Sequence, residues 1–145
     1  MASAYPMHEI RILNAKDKPA TVRHFLRLDD ETRHQRFQAA ISDTLLIKHA
    51  VMAFKAGNIL LGGFIGQTLL GVAELRKLDQ HQAEAAFSVE APFQDHGLGR
   101  DLLIALAELA NNEAVKKLYG VFERENDRMR RLALKYGREI IALEA

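Results

Sequence analysis

Apolar positions along the chain switch between two periods, and the switches mark out its elements. Residues 8–13 alternate and predict a short strand. Residues 18–28 carry Val22, Phe25 and Leu26 at helical spacing. Asp29 or Asp30 can N-cap a second helix through Phe37, and Ser42 or Asp43 a third, with Leu45, Leu46, His49, Val51 and Met52 supplying its apolar faces. The period then shortens: residues 58–65 and 68–77 are strand-like with Gly66 and Gln67 as the turn between them, and residues 82–90 form another strand after the polar turn 79–81. A helix is predicted over residues 98–111, with Leu98, Leu102, Leu106 and Leu109 along one stripe. A strand over 117–123, a helix over 126–136 with Met129, Leu132, Ala133 and Tyr136 on one face, and a last strand over 139–143 complete the order.

Strand, helices, three consecutive strands, helix, strand, helix, strand is the order of a mixed α/β (α+β) layer fold. A length of 145 residues suits one domain with one core, spanning 1–145. There is no repeat, low-complexity tract or linker. The charge balance, 20 basic against 19 acidic residues, gives no electrostatic reason to expect nucleic acid or an anionic membrane as partner. With no cysteine, disulfides, thiolate metal sites and a cysteine nucleophile are excluded, which suits a cytoplasmic protein. Residues 1–7 lack a basic stretch followed by an apolar run, so no signal peptide is expected, and no apolar run reaches the roughly 18 residues of a membrane span.

The most informative stretch is residues 87–100, FSVEAPFQDHGLGR. A strand runs into a glycine-bearing turn from which an amphipathic helix starts. Helix N-termini present unpaired backbone N–H groups and the positive end of the dipole, which suit phosphate. Gly97 and Gly99 lack a Cβ, so phosphates can approach the backbone, and Arg100 adds a fixed charge. Read alone, the pattern also fits a plain strand–helix turn that needs glycine for packing.

Two blocks resemble those of the GNAT superfamily of N-acetyltransferases. Residues 94–99 resemble its CoA-binding Q-x-x-G-x-G motif, placed between the fourth strand and the following helix. Asn126, Met129, Leu132, Lys135 and Gly137 match the spacing N-x-x-a-x-x-L-x-x-K-x-G downstream. Residues 25–37 and 83–89 are similar to the corresponding segments of the bacterial protein lysine acetyltransferase branch, the second to its A-E-F-A-V-x-V strand. The likeness spans nearly the whole chain. It implies a mostly antiparallel, twisted sheet with helices on both faces and an acyltransferase that uses acetyl-CoA as cosubstrate.

The resemblance further implies that CoA lies where the fourth and fifth strands splay apart. Main-chain groups of Gln94, Asp95, His96, Gly97, Leu98, Gly99 and Arg100 would hold the pyrophosphate. Backbone groups of Phe87, Ser88 and Val89 would bind the pantetheine arm like an added strand, and Asn126 would contact CoA near the thioester. An amine, from a protein lysine or a small molecule, would attack the thioester directly, through a tetrahedral intermediate held by backbone donors. A lysine ammonium has a pKa of roughly 10.4, so a proton acceptor is needed. Glu84 is the candidate base: it lies on the strand expected to face the acceptor site and matches the glutamate of the lysine acetyltransferase branch; the plainer reading is an exposed strand glutamate. In a regular strand Glu84, Ala86, Ser88 and Glu90 share a face, a parity that a bulge would break. Glu90 is an alternative base, read as solvated at the strand end.

Two departures from the family pattern stand out. Where many members place a tyrosine seven residues after the asparagine to protonate the leaving thiolate, this chain has Ala133, and Tyr136 reads as core. A thiol pKa of roughly 8.5 makes the thiolate a tolerable leaving group without it. The segment after the last predicted helix has room for one strand rather than two, and the edge left there could pair with a second copy in a homodimer.

Other polar residues have plain readings. Arg128, Arg131 and Lys135 read as a solvated helix face, and Arg33 and Arg36 as surface residues with an acceptor-binding role as the alternative. The six histidines lack any metal-ligand spacing, so no metal is expected, and His96 lines the glycine loop. The alternative functions are a non-catalytic acetyl-CoA sensor or interaction module and, more remotely, a phosphate-binding module for another nucleotide.

Overall fold

The structure, a computed structural model, describes residues 8–55, 57–122, 131 and 140–144. Strand β1 (Glu9–Ile12) leads into three helices, α1 (Lys18–Arg27), α2 (Asp30–Phe37) and α3 (Asp43–Met52). A meander follows: β2 (Asn58–Ile65), β3 (Thr68–Lys77) and β4 (Gln82–Val89). Then come α4 (Leu98–Asn112), β5 (Lys117–Phe122) and β6 (Ile140–Glu144). The helix starts are where polar residues can cap them: Asp29 accepts from the Thr32 N–H at 2.8 Å and Ser42 from the Leu45 N–H at 3.3 Å. The helix expected over residues 126–136, with Asn126, Arg128, Ala133, Lys135 and Tyr136, lies outside the described residues except for Arg131, which is helical and exposed.

The six strands form one sheet in the order β1-β2-β3-β4-β5-β6. β1 to β4 pair antiparallel, while β4 with β5 and β5 with β6 are parallel. Period-2 alternation sends side chains to two separate cores. On one face Leu61, Ala73, Leu75, Ala83, Ala85 and Val89 pack against Leu98, Leu102, Leu103 and Leu106 of α4. On the other, Leu60, Phe64, Leu69 and Val72 pack against Phe25 of α1, Leu28 just after it, and Leu46 and Ala50 of α3.

Sequence spacing misassigned part of the helical faces. In α1 the buried residues are Thr21, His24 and Phe25, with Val22 and Leu26 only partly covered, and in α3 they are Leu46 and Ala50. Leu45, Val51 and Met52 are exposed. The buried polar residues are satisfied by hydrogen bonds: Thr21 donates to the Asp17 carbonyl one turn back, and His24 bonds to Ser88 and Glu90 at the end of β4.

The β4 register on β3 runs without a break from Ala83 to Val89, so Glu84, Ala86 and Ser88 do share a face. The irregularity lies instead between β2 and β3, where the register slips at Gly63/Phe64 and Leu70 is the extra residue. The bulge turns both Leu70 and Gly71 toward α4, while Leu69 joins the other core.

Candidate active site

Parallel pairing of β4 with β5 covers only Gln82–Ala85 against Lys117–Gly120. Beyond it the two strands keep separate company. Ala86 to Val89 remain bonded to β3, and Val121 and Phe122 remain bonded to β6. The sheet therefore opens into a V whose apex is at Ala85, and the β5-facing edge of residues 86–89 is left without a strand partner among the described residues. An extended amide-bearing ligand laid there can take up the open groups as an added strand would.

The open end of the V leads to the glycine loop. A short 3-10 turn at Ala91–Phe93 hands over to residues 94–97, and α4 starts at Leu98 with Gly97 as its N-cap. Asp95 and Gly97 have left-handed backbones, with φ of 64° and 87°. Left-handed residues in a turn are the kind of backbone that can present N–H groups to an anion. Gly97 has no side chain to cap the helix, so the first-turn N–H groups of Leu98, Gly99 and Arg100 have no acceptor among the described residues. The half-exposed guanidinium of Arg100 hangs over the loop, 3.4 Å from where a Cβ on Gly97 would sit. Open N–H groups, the positive end of a 15-residue helix and a guanidinium are the donor set that a pyrophosphate requires.

Gln94 holds the loop in place. Its side-chain amide donates to the Val89 carbonyl at 2.8 Å and to the Thr32 hydroxyl at 3.1 Å, while its own N–H is taken by the Ala91 carbonyl at 3.3 Å. Leu98 is a core residue, and His96 sits half-buried in the loop. The site fits the phosphate end of CoA through the main chain of residues 97–100, with Gln94 as a brace rather than as a donor to it.

On the opposite side of the sheet from α4, a cavity of about 310 Å³ opens beside the apex of the V. Its walls are Phe37, Met52, Ala53, Leu60 and Ala86, with Arg36, His49, Glu74, Arg76 and Glu84 as the charged or titratable groups. Glu84 is one-third exposed there and accepts from Arg76 at 2.9 Å. Glu74, in the middle of the apolar run of β3, is buried. It accepts from Arg36 at 2.6 and 3.1 Å and lies 2.7 Å from His49 Nε2. Burial alone would raise the Glu74 pKa; the charges of Arg36 and His49 and their hydrogen bonds override it and bring the carboxyl down to about 2.

Arg36 is thus no surface residue: its side chain is only 13% exposed, because an isolated charge on β3 would be costly to bury. Arg33 also lies against the protein, donating to the carbonyls of Leu26 and Leu28 and to Asp43. Sequence reasoning missed Glu74, His49 and the cavity. The available signal was one acidic residue inside an otherwise apolar strand.

Glu90 also departs from expectation. It is buried rather than solvated, bonded by Arg27 at 2.7 and 2.9 Å and by His24 Nδ1 at 3.0 Å. His24 Nε2 in turn accepts the Ser88 hydroxyl at 2.8 Å. Burial pushes His24 down despite Glu90, so it is neutral; Glu90 is held below the ordinary carboxylate range because His24 and Arg27 outweigh its own burial. Serine, histidine and glutamate here have the connectivity of a nucleophilic triad, but Ser88 is buried under α1 and lines no part of the cavity. The group is a brace that ties α1 to the end of β4, and it leaves only the main chain of Ser88 for a ligand.

Among the described residues no three His, Asp or Glu side chains could share a metal ion, and no helix is long and apolar enough to cross a membrane. Among curated proteins no relative matches the chain. Solved structures share its fold at low identity. The GNAT domain of S. lividans PAT is 19% identical with a TM-score of 0.75, over 88% of this chain and 79% of that one. The yncA protein of Salmonella typhimurium, solved with its cofactor acetyl-CoA, is 18% identical with a TM-score of 0.70, over 90% and 79%. The ribosomal-protein-S18-alanine N-acetyltransferase of Escherichia coli is 18% identical with a TM-score of 0.69, over 90% and 77%. The profile of the Acetyltransferase (GNAT) family matches residues 19–137, which include both the V-shaped opening and the glycine loop. The chain belongs to the GNAT acetyltransferase family, and it is an acyl-CoA-dependent N-acetyltransferase with acetyl-CoA as its cosubstrate.

Proposed function

We propose that the chain acetylates a single primary amine carried on an apolar tether, as on a lysine side chain or a small monoamine, and that the amine enters through the cavity beside Ala86. The observation that carries this reading is the pairing of charges in that cavity. Glu74 is spoken for by Arg36 and His49, which leaves partly exposed Glu84, shared with Arg76, as the one cavity carboxylate for an ammonium and none for the second and third ammonium groups of a polyamine or aminoglycoside. The apolar walls suit a methylene chain.

In this reading pantetheine lies along the open edge of Phe87, Ser88 and Val89. The pyrophosphate lies on the main chain of residues 97–100, with Gln94, Asp95 and His96 shaping the loop. That places the thioester toward the apex of the V, next to Ala86, where the cavity meets it. Glu84 faces the incoming ammonium and supplies negative charge at the wall. Asn126, expected near the thioester, lies outside the described residues. β6 is the last strand of the sheet among the described residues, and its outer edge would pair with a second copy; a dimeric mass by light scattering would support that extension, and a monomer at high concentration would refute it.

An acceptor panel tests the reading. CoA release should be fastest with a lysine-containing peptide or a simple monoamine and slow with spermidine or kanamycin. Preference for the polycations would refute it.

A further inference from the structure

Resting on the acetyltransfer reading above, we infer that His49, backed by Glu74, removes the proton from the acceptor amine, and that Glu84 attracts the amine without deprotonating it.

The hydrogen bonds fix which histidine nitrogen can act. Glu74 is an accepting carboxylate, and its Oε1 lies 2.7 Å from His49 Nε2, so Nε2 carries the hydrogen and donates. Arg36 Nη2, 3.2 Å from the same nitrogen, cannot also donate to it; this guanidinium passes the imidazole on its way to Glu74 Oε2 at 2.6 Å. The lone pair is therefore on Nδ1. Among the described residues nothing hydrogen-bonds Nδ1, and Nδ1 is not among the buried polar atoms left without a partner, so solvent reaches it. His49 is 30% exposed and forms part of the cavity wall.

The ring is also held in orientation. It packs edge-to-face on Phe25 of α1 at 5.4 Å and on Phe37 of α2 at 5.1 Å, and Glu74 pins its far side from β3. The charged groups facing it are Arg36 from α2, Glu74 and Arg76 from β3, and Glu84 from β4. An imidazole with one nitrogen donating to a buried carboxylate and the other open to a cavity is oriented to accept a proton from a group bound there. Glu84, with an oxygen engaged by Arg76, is the lesser candidate.

The step balances. Nδ1 takes one proton from the ammonium, leaving a neutral amine. The nitrogen lone pair attacks the thioester carbonyl, forming the C–N bond. On collapse the C–S bond breaks with its electron pair on sulfur. The second amine proton goes to that thiolate, and His49 returns its proton to solvent. Ammonium and thioester thus become amide, thiol and one proton.

His49→Gln tests this, because glutamine keeps a side-chain N–H for Glu74 while removing the base. With the lysine-containing peptide as acceptor, kcat should fall at least a hundredfold. The KM for acetyl-CoA and the melting temperature should stay near wild type. Added imidazole should restore at least tenfold of the lost rate in His49→Ala, which a purely structural role would not allow. Glu84→Gln should raise the KM for the amine and leave kcat within a few-fold. A folded His49→Gln variant with wild-type kcat overturns this inference alone. A wild-type protein that neither binds acetyl-CoA nor turns over overturns the acetyltransfer reading and this inference with it.

Discussion

The side-chain amide of Gln94 donates to two oxygens at once, the Val89 carbonyl at 2.8 Å and the Thr32 hydroxyl at 3.1 Å. It thereby fastens the glycine loop to the end of β4 and to the start of α2. Gln94→Ala should weaken acetyl-CoA binding about tenfold, roughly 1.4 kcal/mol, by loosening the loop rather than by removing a ligand contact. Calorimetric titration of the variant measures it, and unchanged affinity would show that the brace is dispensable.

Buried Glu74 and Arg36 form a pair that tolerates joint loss better than single loss. Glu74→Leu leaves the guanidinium of Arg36 uncompensated and should cost about 3–5 kcal/mol. Adding Arg36→Met should recover most of that. Urea unfolding of the two variants separates the cases, and equal losses would contradict the pairing.

Acid should destabilise the fold in two stages. His24 has its pKa depressed by burial below 6.5, so its contribution is full above that value and declines as the pH falls below it. Glu74 falls from 4.5 unfolded to about 2 folded, so its contribution is complete above pH 4.5 and is lost as the pH drops towards 2. Its full span is about 3 kcal/mol. Glu90, also lowered, acts in the same direction. Denaturant midpoints should hold between pH 8 and about pH 6.5 and fall from there to pH 3, and Glu74→Gln should flatten the part below pH 4.5.

Close approach of α4 to the sheet depends on Gly71, where an added Cβ would lie 2.9 Å from Leu102 Cδ1 and 3.2 Å from Leu98 Cδ2. Gly71→Ala should cost about 1–3 kcal/mol and, by tilting the first turn of α4, also weaken acetyl-CoA binding. A stability loss with intact affinity would show that the helix start is not shifted.

Much of this was legible in the sequence, for physical reasons. The strands at Asn58–Ile65 and Thr68–Lys77 have the bounds read from the sequence, because both faces of the sheet are buried, which makes each strand a near-continuous apolar run that stops at the Gly66 turn. The glycine loop was legible because Gly97 needs its positive φ. The partners of Glu74, Glu90 and His24 were not. Each is settled by a residue tens of positions away, such as His24 with Glu90, and a buried polar side chain has no periodic signature. Arg36 was misplaced on the surface for the same reason: only the fold brings Glu74 beneath it. The V at Ala85 likewise depends on where β4 and β5 stop pairing, which no local pattern encodes.

The central claim is that the loop at Gly97 and the start of α4 hold acetyl-CoA. Gly97 has φ of 87°, and its missing side chain leaves the approach to the first-turn N–H groups open. The direct test is calorimetric titration of acetyl-CoA into the wild-type protein and into Gly97→Glu, with ATP as the control ligand. The account predicts micromolar binding to wild type, none to the folded variant, and none of ATP. Equal binding by both proteins, or no binding by wild type, would contradict it.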